Sequence, residues 1–530
     1  MQRSTQVFFI ILAAIMAVFI YTVPDYGLSW DEPARYQGGQ RSMAYYETLL
    51  QGKDPLDLTL DGYPNAFDLP WVALARIFPQ VHYWQIGHVL EGLCSLLALV
   101  GVWKLGTLLG GPRLGLWAMV FLFFTPPFYG HTLMNPKDIP FCAAYIWGLY
   151  YLALMAGELP QWRKSVVIKL GIALGLAMGT RLAGFVLVGY SGLLLSLVAI
   201  REILNTGLWP FVRTYSLAWI AKMGVSVFLG IKILLFVWPE GQLAVVAKMA
   251  ERLHELSHFN WQGPVLFFGR VEWAQHLPRT YLPGWMWITI PEVFQVIALV
   301  GVGFVIFRAF GWWRNRNVWL APASLAWGVI VFGTIFPIIY AIIARTPLYD
   351  AWRQMLFVVP GMIILIARSW LEILSAVQQY YRKLLPVIYA CMMIALALIG
   401  FQYIRLHPYA YLYINSFGGG VCSATGRFDQ DYWGLSMREA VEDLQALLIQ
   451  EGYSSGTIVY VAVSDPVVNA LIYFPNNWRW TKDPAKAAFY ISLVRYNCPN
   501  QMDGDPVICV ERYGTPLAIV KDRRSLLLSS

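Results

Sequence analysis

Long apolar segments recur along this chain of 530 residues, and they constrain its fold more than any other feature. Hydrophobic residues make up 58% of the sequence and charged residues only 13%, which excludes a water-soluble globule. A segment of about 20 apolar residues is long enough to cross a bilayer as a helix. The pattern predicts about eleven transmembrane helices, at 6–23, 86–110, 114–128, 139–157, 167–182, 184–200, 215–238, 290–307, 318–343, 353–370 and 386–404.

Basic residues between these segments predict the orientation of the chain. Lys and Arg are held on the cytoplasmic side of short loops, and here they follow the even-numbered segments, near 113, 163–164, 201–213, 308–316 and 368–383. The N-terminus is therefore expected inside and the C-terminus outside. The net charge of +8 comes largely from these cytoplasmic turns, so it does not favour nucleic-acid binding.

The composition changes after residue 404, where charge rises and the apolar runs shorten. This change divides the chain into a membrane domain, 1–404, and a small α/β domain, 405–530, on the outer side. Within the second domain the periodicity predicts an amphipathic helix at 437–450 and strands at 457–463, 488–494 and 516–520.

Polar and ionisable residues that could bind a substrate or catalyse a reaction lie mainly in the predicted outer loops. The two longest of these are the first loop, 24–85, and a large loop, 239–290. Asp31 and Glu32 open this series directly after the first apolar segment. Adjacent carboxylates repel each other and are costly at a membrane boundary, so the pair indicates proton transfer, metal binding or contact with substrate hydroxyls. The structural alternative is the start of a helix, with Pro33 in its first turn.

A second cluster lies in the turn between the third and fourth apolar segments. It contains His131, Asn135, Lys137 and Asp138, with prolines that break the helical pattern. Lys137 stands at the entrance of the next segment, where an ammonium group suits a phosphate. Alternatively, Lys137 reaches to the interface, with Asp138 as its partner or as a helix cap.

Three arginines on the predicted outer side run against the usual charge bias and need anionic partners. They are Arg181, Arg279 and Arg353. A lipid-linked phosphate or pyrophosphate would supply one through bidentate contacts. A protein carboxylate is the alternative, and Asp350, three residues before Arg353, is placed to pair with it.

Taken in order, these motifs resemble glycosyltransferase family 39, the protein O-mannosyltransferase-like membrane enzymes of the C-type glycosyltransferase (GT-C) fold. The resemblance covers essentially the whole chain and is closest to bacterial members that use polyprenyl-phosphate sugars. It is carried by Asp31-Glu32, Asn135-Pro136-Lys137-Asp138, Thr180 to Gly184, Pro278 to Pro283, Tyr349-Asp350 with Trp352-Arg353, His407-Pro408-Tyr409, Tyr413-Ile414-Asn415, Gly419-Gly420 and Asp431 to Gly434.

The resemblance implies a polytopic helical membrane enzyme with a small extracytoplasmic domain, in the bacterial inner membrane with its site facing the periplasm. It would transfer a sugar from a polyprenyl-phosphate donor to a hydroxyl of a protein, lipid or glycan acceptor, with inversion. Asp31 would be the general base, Glu32 would assist it, and Asp138 would orient a sugar hydroxyl or a divalent ion. Whether Mg²⁺ or Mn²⁺ binds at Asp31 and Asp138 stays open, since no three carboxylates lie close in sequence.

By the same resemblance, Lys137 and Arg353 would neutralise the leaving phosphate, with Arg279 and Arg181 as further candidates. The remaining members of the clusters would contact substrate, and these are His131, Asn135, Tyr281, Tyr349 and Asp350.

Two alternatives remain at this stage. Cys498 and Cys509 lie eleven residues apart in the outer domain and are expected either to pair in an oxidising compartment or to stay free thiols.

The alternative function is a transporter or flippase for a polyprenyl-linked sugar, which would place polar residues at mid-bilayer and show internal repeats. The sequence has no evident repeat, and its charges gather at the predicted outer ends.

Overall fold

A computed structural model describes residues 2–55, 62–257, 263–312, 320–454, 456–496 and 498–528. Parts of both predicted outer loops, 56–61 and 258–262, lie outside these residues, and so does the predicted basic turn at 313–319.

Each of the eleven predicted apolar segments is helical in the described chain. These helices are α1 (Gln2–Thr22), α4 (Tyr83–Gly110), α5 (Pro112–Phe123), α7 (Asp138–Gly157), α8 (Lys164–Thr180), α9 (Phe185–Thr206), α11 (Leu217–Phe236), α15 (Glu292–Trp312), α16 (Pro322–Ala344), α17 (Val359–Tyr380) and α18 (Leu385–Leu406).

Fewer than eleven of these helices are long enough and apolar enough to cross a membrane. The described residues contain 8 such spans, or up to 9 when a pair of helices bent by 116° around residue 290 counts as one span. With 12 residues, α5 is about 18 Å long, well short of the hydrocarbon core of about 30 Å. The chain is thus a polytopic integral membrane protein, with α5 and α8 as shorter members of the bundle.

Shorter helices and a hairpin fill the connections between the spans. The helices are α2 (Glu32–Leu50), α3 (Asp68–Ile77), α6 (Pro126–Tyr129), α10 (Leu208–Phe211), α12 (Pro239–Leu243), α13 (Val245–Ser257) and α14 (Tyr281–Thr289), and the hairpin consists of β1 (Pro264–Phe267) and β2 (Arg270–Trp273). The helix α2 begins at Glu32 with Pro33 in its first turn, as the structural alternative for the acidic pair expects.

The C-terminal part is a small α/β unit. It contains α19 (Ser436–Gln450), α20 (Val468–Leu471), α21 (Arg524–Leu528), β3 (Val459–Val463), β4 (Trp478–Trp480), β5 (Phe489–Leu493), β6 (Asp505–Arg512) and β7 (Thr515–Asp522). The sheet order is β4-β3-β5-β7-β6, parallel in its first three strands and antiparallel in the rest. The predicted helix and all three predicted strands are present, because their apolar residues alternate with the periods of those elements.

This unit packs on the segment that leads into α2. The Trp30 amide donates to the Trp433 carbonyl at 2.9 Å, and the Asn469 side chain donates to the Leu28 carbonyl at 2.7 Å. Trp30 itself packs against both the membrane core and the core of the C-terminal sheet. The start of α2 is therefore fixed between the two parts of the molecule, and Asp31 stands at that start.

Candidate functional site

Two carboxylates and one arginine from distant parts of the sequence form the centre of the site. Asp31 precedes α2, Asp138 begins α7, and Arg353 lies in the turn that leads into α17. The guanidinium Nη1 of Arg353 is 2.9 Å from Asp31 Oδ2 and 3.3 Å from Asp138 Oδ2. The structure thus brings together three residues that were predicted for the site from separate motifs.

Asp138 is held on several sides. Arg181 forms an ion pair with its other oxygen, and the Asn135 side-chain amide donates to Oδ2 at 3.0 Å. The side-chain Oδ1 of Asn135 in turn accepts a hydrogen bond from the Asp138 backbone amide at 2.9 Å, which caps the start of α7. One alternative paired Asp138 with Lys137. In the structure Asp138 pairs with arginines instead. Its nearly complete burial makes it a fixed anchor for Arg181 and Arg353.

Arg353 also contacts residues on its far side. Asp350 accepts from it at 3.2 Å, so the predicted pair three residues apart is formed. The Trp433 ring lies 4.5 Å from the guanidinium carbon, and the Tyr349 ring lies 5.1 Å from it. A guanidinium between two aromatic faces and three carboxylates is fixed in position and remains charged.

Asp350 connects this centre to the C-terminal unit. Its second oxygen accepts from Arg495 at 2.6 Å, and Arg495 lies 3.6 Å from Asp429. Asp350 and Ala351 have φ angles of +54° and +58°, in the left-handed region that non-glycine residues rarely adopt. Backbone strain of this kind persists where surrounding contacts hold it, and it concentrates at functional sites.

The electrostatics of the centre favour an ionised Asp31. Its side chain is 27% exposed. Burial acts to raise the pKa of this carboxyl, but the charges of Arg353 and Lys137, followed by Arg35, outweigh burial and lower the pKa. Asp31 is therefore an anion at neutral pH. It is partly accessible to solvent and able to accept a proton.

A cavity of about 420 Å³ lies beside this centre. Three cations line it, namely Lys137, Arg181 and Arg252. Its other wall is apolar and includes Phe336 and Tyr340 of α16, whose side chains are 38% and 56% exposed on the outside of the bundle. The cavity thus combines a cationic end with a wall that reaches the membrane-facing surface.

Aromatic and acidic side chains position the cations of the cavity. The Lys137 ammonium lies 4.9 Å from the centre of the Tyr63 ring, and Arg252 pairs with Glu240 at 3.2 Å. Burial lowers the pKa of Lys137 to about 7, helped by Arg181 and Arg35, while Asp31 acts in the opposite direction. An anion entering the cavity would meet a lysine that gains its proton readily on binding.

Glu32 faces away from this centre. It is fully buried, its Oε1 lies 3.0 Å from His88 Nε2, and its Oε2 accepts the Ser29 amide at 2.6 Å. Both groups lie in the protein interior, so Glu32 supports the bend before α2. Glu91 lies on α4, as His88 does, and is a second fully buried acidic side chain, which interacts electrostatically with Glu32.

The other predicted residues have different surroundings. His131 is buried 5.9 Å from the Trp433 ring, its Nδ1 is 2.9 Å from the Pro127 carbonyl, and burial lowers its pKa to about 3. Tyr281 donates to the Ala351 carbonyl at 3.0 Å and so supports the strained turn. Arg279 is exposed, and within the described ranges it makes no ion pair with the centre.

Cys498 and Cys509 are both free thiols, with Cys498 buried and Cys509 exposed on β6. The pairing considered from their spacing is not formed.

Asp31 and Asp138 do not fit the ligand set of a divalent cation. Arg353 stands between the two carboxylates, and Arg181 occupies the remaining oxygen of Asp138. Mg²⁺ and Mn²⁺ bind through oxygen ligands, and here arginines already occupy three of the four oxygens of these two carboxylates. No group of three or more His, Cys, Asp or Glu side chains in the described chain is placed to hold a metal.

Sequence reasoning missed three charged or aromatic residues of the site. Arg252 lies on α13 and Tyr63 lies before α3, both within predicted outer loops, and Arg495 follows β5 in the C-terminal unit. Arg252 carried one usable signal, a cation on the predicted outer side within an amphipathic stretch. Arg495 and Tyr63 carried none, since their contacts depend on how distant segments pack together.

No protein-family model matches the sequence, and no curated protein matches it. Among solved structures, ArnT from Cupriavidus metallidurans in the apo state matches with 14% identity over 98% of this chain and 99% of that chain, at a TM-score of 0.47. ArnT bound to undecaprenyl phosphate matches with 15% identity over 97% and 98%, also at 0.47. The archaeal oligosaccharyltransferase AglB from Archaeoglobus fulgidus, in complex with an inhibitory peptide and a dolichol-phosphate, matches with 11% identity over 91% of this chain and 68% of that chain, at 0.47. At these identities and TM-scores, the chain is similar to these proteins in overall architecture, and the likeness assigns it neither a substrate nor a catalytic residue.

Proposed function

We propose that this protein is a membrane glycosyltransferase that moves a sugar from a polyprenyl-phosphate donor to an acceptor hydroxyl at the outer membrane face. One observation carries the proposal. The cavity of about 420 Å³ joins three cations to the membrane-facing side of α16, and contacts through Asp138 and Arg353 link it to the ionised Asp31. An anionic headgroup on a long apolar chain fits this combination.

The cavity has a different surface for each end of such a donor, the phosphate and the prenyl chain. Lys137, Arg181 and Arg252 would bind the phosphate through charge-assisted hydrogen bonds. The prenyl chain would leave along Phe336 and Tyr340, so it would not have to enter water. Because the cations already lie in place before the reaction, they would stabilise the negative charge that grows on the phosphate as it departs.

Asp31 would act on the other reactant. The acceptor oxygen attacks the anomeric carbon, and its bond to that carbon forms while the bond from carbon to phosphate oxygen breaks. The electron pair of the broken bond stays on the polyprenyl phosphate, and the acceptor proton passes to the Asp31 carboxylate. A single displacement of this kind inverts the anomeric carbon. Arg353 would hold Asp31 in place and keep it ionised until the proton arrives.

Sugar release from a panel of radiolabelled polyprenyl-phosphate sugars tests this proposal, with the purified protein in lipid nanodiscs and a membrane extract as acceptor. The wild type is expected to turn over at least one donor. Asp31→Asn should lower that turnover by about 100-fold or more, since removing a general base costs this much. Asp25→Asn is the matched control, because Asp25 is an exposed carboxylate at the same end of α1 that pairs with His407.

The proposal fails if the folded wild type turns over no donor, which would favour the transporter alternative. Equal turnover by Asp31→Asn and Asp25→Asn would remove Asp31 from the base role.

A further inference from the structure

A second cleft, of about 500 Å³, lies between the loop before α2 and the C-terminal unit. Trp30 forms one wall and Tyr496 another, and both rings are partly exposed. Asp465 and Gln501 supply a carboxylate and an amide, and Val467 lies among them. This cleft shares no residue with the cationic cavity, so the two sites are separate.

Each aromatic residue of the cleft is the sequence neighbour of a charged residue described above, Asp31 or Arg495. Trp30 directly precedes Asp31. Its backbone amide donates a hydrogen bond to the Trp433 carbonyl, which fixes it in place. Tyr496 directly follows Arg495, whose guanidinium carbon lies 4.3 Å from the Tyr496 ring. Tyr496 has a φ of +52°, so its ring is held by a strained backbone. The cleft therefore lies beside the loop that carries Asp31, on the side of the C-terminal unit.

The polar groups of the cleft are arranged for a neutral, hydroxyl-rich ligand. The side-chain oxygen of Gln501 lies 3.2 Å from the Tyr490 hydroxyl, and its amide nitrogen lies 3.7 Å from Cys498 Sγ. Asp465 is exposed, and no described side chain pairs with its carboxylate. Carboxylate and amide groups exchange hydrogen bonds with hydroxyls, while aromatic faces pack on apolar C–H faces. A sugar ring offers both, a C–H face and a rim of hydroxyls.

We infer that this cleft binds a carbohydrate portion of the acceptor, beside the loop that carries Asp31. The inference rests on the proposed function, because it names the acceptor class for the same reaction. It commits to a glycan acceptor, in preference to a polypeptide, since the cleft offers two aromatic platforms and no strand edge for a peptide backbone among its lining residues.

Direct binding tests the cleft without requiring turnover. The probes are a panel of soluble oligosaccharides and a panel of Ser/Thr-rich peptides, and saturation-transfer NMR reports contact with the protein in nanodiscs. Tyr496→Ala and Asp465→Asn are the test variants. Tyr460→Ala is the matched control, because Tyr460 is exposed to 42%, close to the 40% of Tyr496, and lies on β3 outside the cleft.

The wild type and Tyr460→Ala are expected to bind at least one oligosaccharide equally well, and the two test variants should bind it about tenfold more weakly. In the donor assay, the same variants should show a raised KM for the oligosaccharide acceptor. Binding of peptides in preference to oligosaccharides, or equal oligosaccharide binding by all variants, would overturn the inference. Failure of the proposed function would give a different result, because the wild-type protein would then release sugar from none of the donors.

Discussion

Donor binding should depend on pH through Lys137. Burial and the charges of Arg181 and Arg35 lower the pKa of this lysine to about 7, against the opposing effect of Asp31. Below that pH the ammonium is charged and attracts the donor phosphate. As the pH rises through about 7, the free protein loses this proton, so the Kd for the donor rises. A sugar phosphodiester carries one negative charge throughout this range, so its own ionisation contributes nothing.

The size of the effect follows from the contact that is lost. Above the pKa, the Kd should rise by about tenfold per pH unit, because binding must then take up one proton. The rise should level off near 30-fold, since a hydrogen bond to a charged group contributes about 2 kcal/mol. Lys137→Arg should bind with a flat profile, because arginine keeps its proton over the whole range.

A polyprenyl methyl phosphodiester is a suitable probe, since it keeps a single charge and needs no choice of sugar. Its Kd can be measured by thermophoresis between about pH 6 and about pH 9 in detergent. The reasoning is refuted if the wild type binds it equally well across this range. It is also refuted if Lys137→Arg reproduces the wild-type rise.

Two further substitutions test the centre itself. Arg353→Lys keeps the charge but cannot contact Asp31, Asp138 and Asp350 together, so turnover should fall by about tenfold or more while the protein stays folded; unchanged kcat would contradict this. Arg495→Met leaves Asp350 with one buried partner fewer, so the free energy of unfolding should fall by about 3 kcal/mol. The Tm should drop accordingly, whereas the exposed control Arg479→Met should not change it.

Much of the architecture could be predicted from the sequence because membranes impose a strong pattern. Every apolar segment became a helix, and the clusters that the predicted topology places at the outer helix ends share one face. Asp31, Asp138 and Arg353 met for that reason. The number of full spans was less predictable, since α5 is apolar but too short to cross the bilayer alone.

The rest of the site depends on directions and contacts that the sequence does not encode locally. Successive positions on a helix point about 100° apart, so Glu32 turns to His88 while Asp31 meets Arg353. Arg279 was expected near the phosphate because of its motif, but its side chain is exposed in the turn before α14. Arg495 reaches Asp350 only because the C-terminal sheet packs on the start of α2.

The most direct measurement is an electron cryomicroscopy structure of the protein with a synthetic polyprenyl phosphate. The proposed function predicts phosphate density between Lys137, Arg181 and Arg252, with the prenyl chain along Phe336 and Tyr340. Phosphate density elsewhere on the protein, with the cavity at Lys137 still empty, would contradict it.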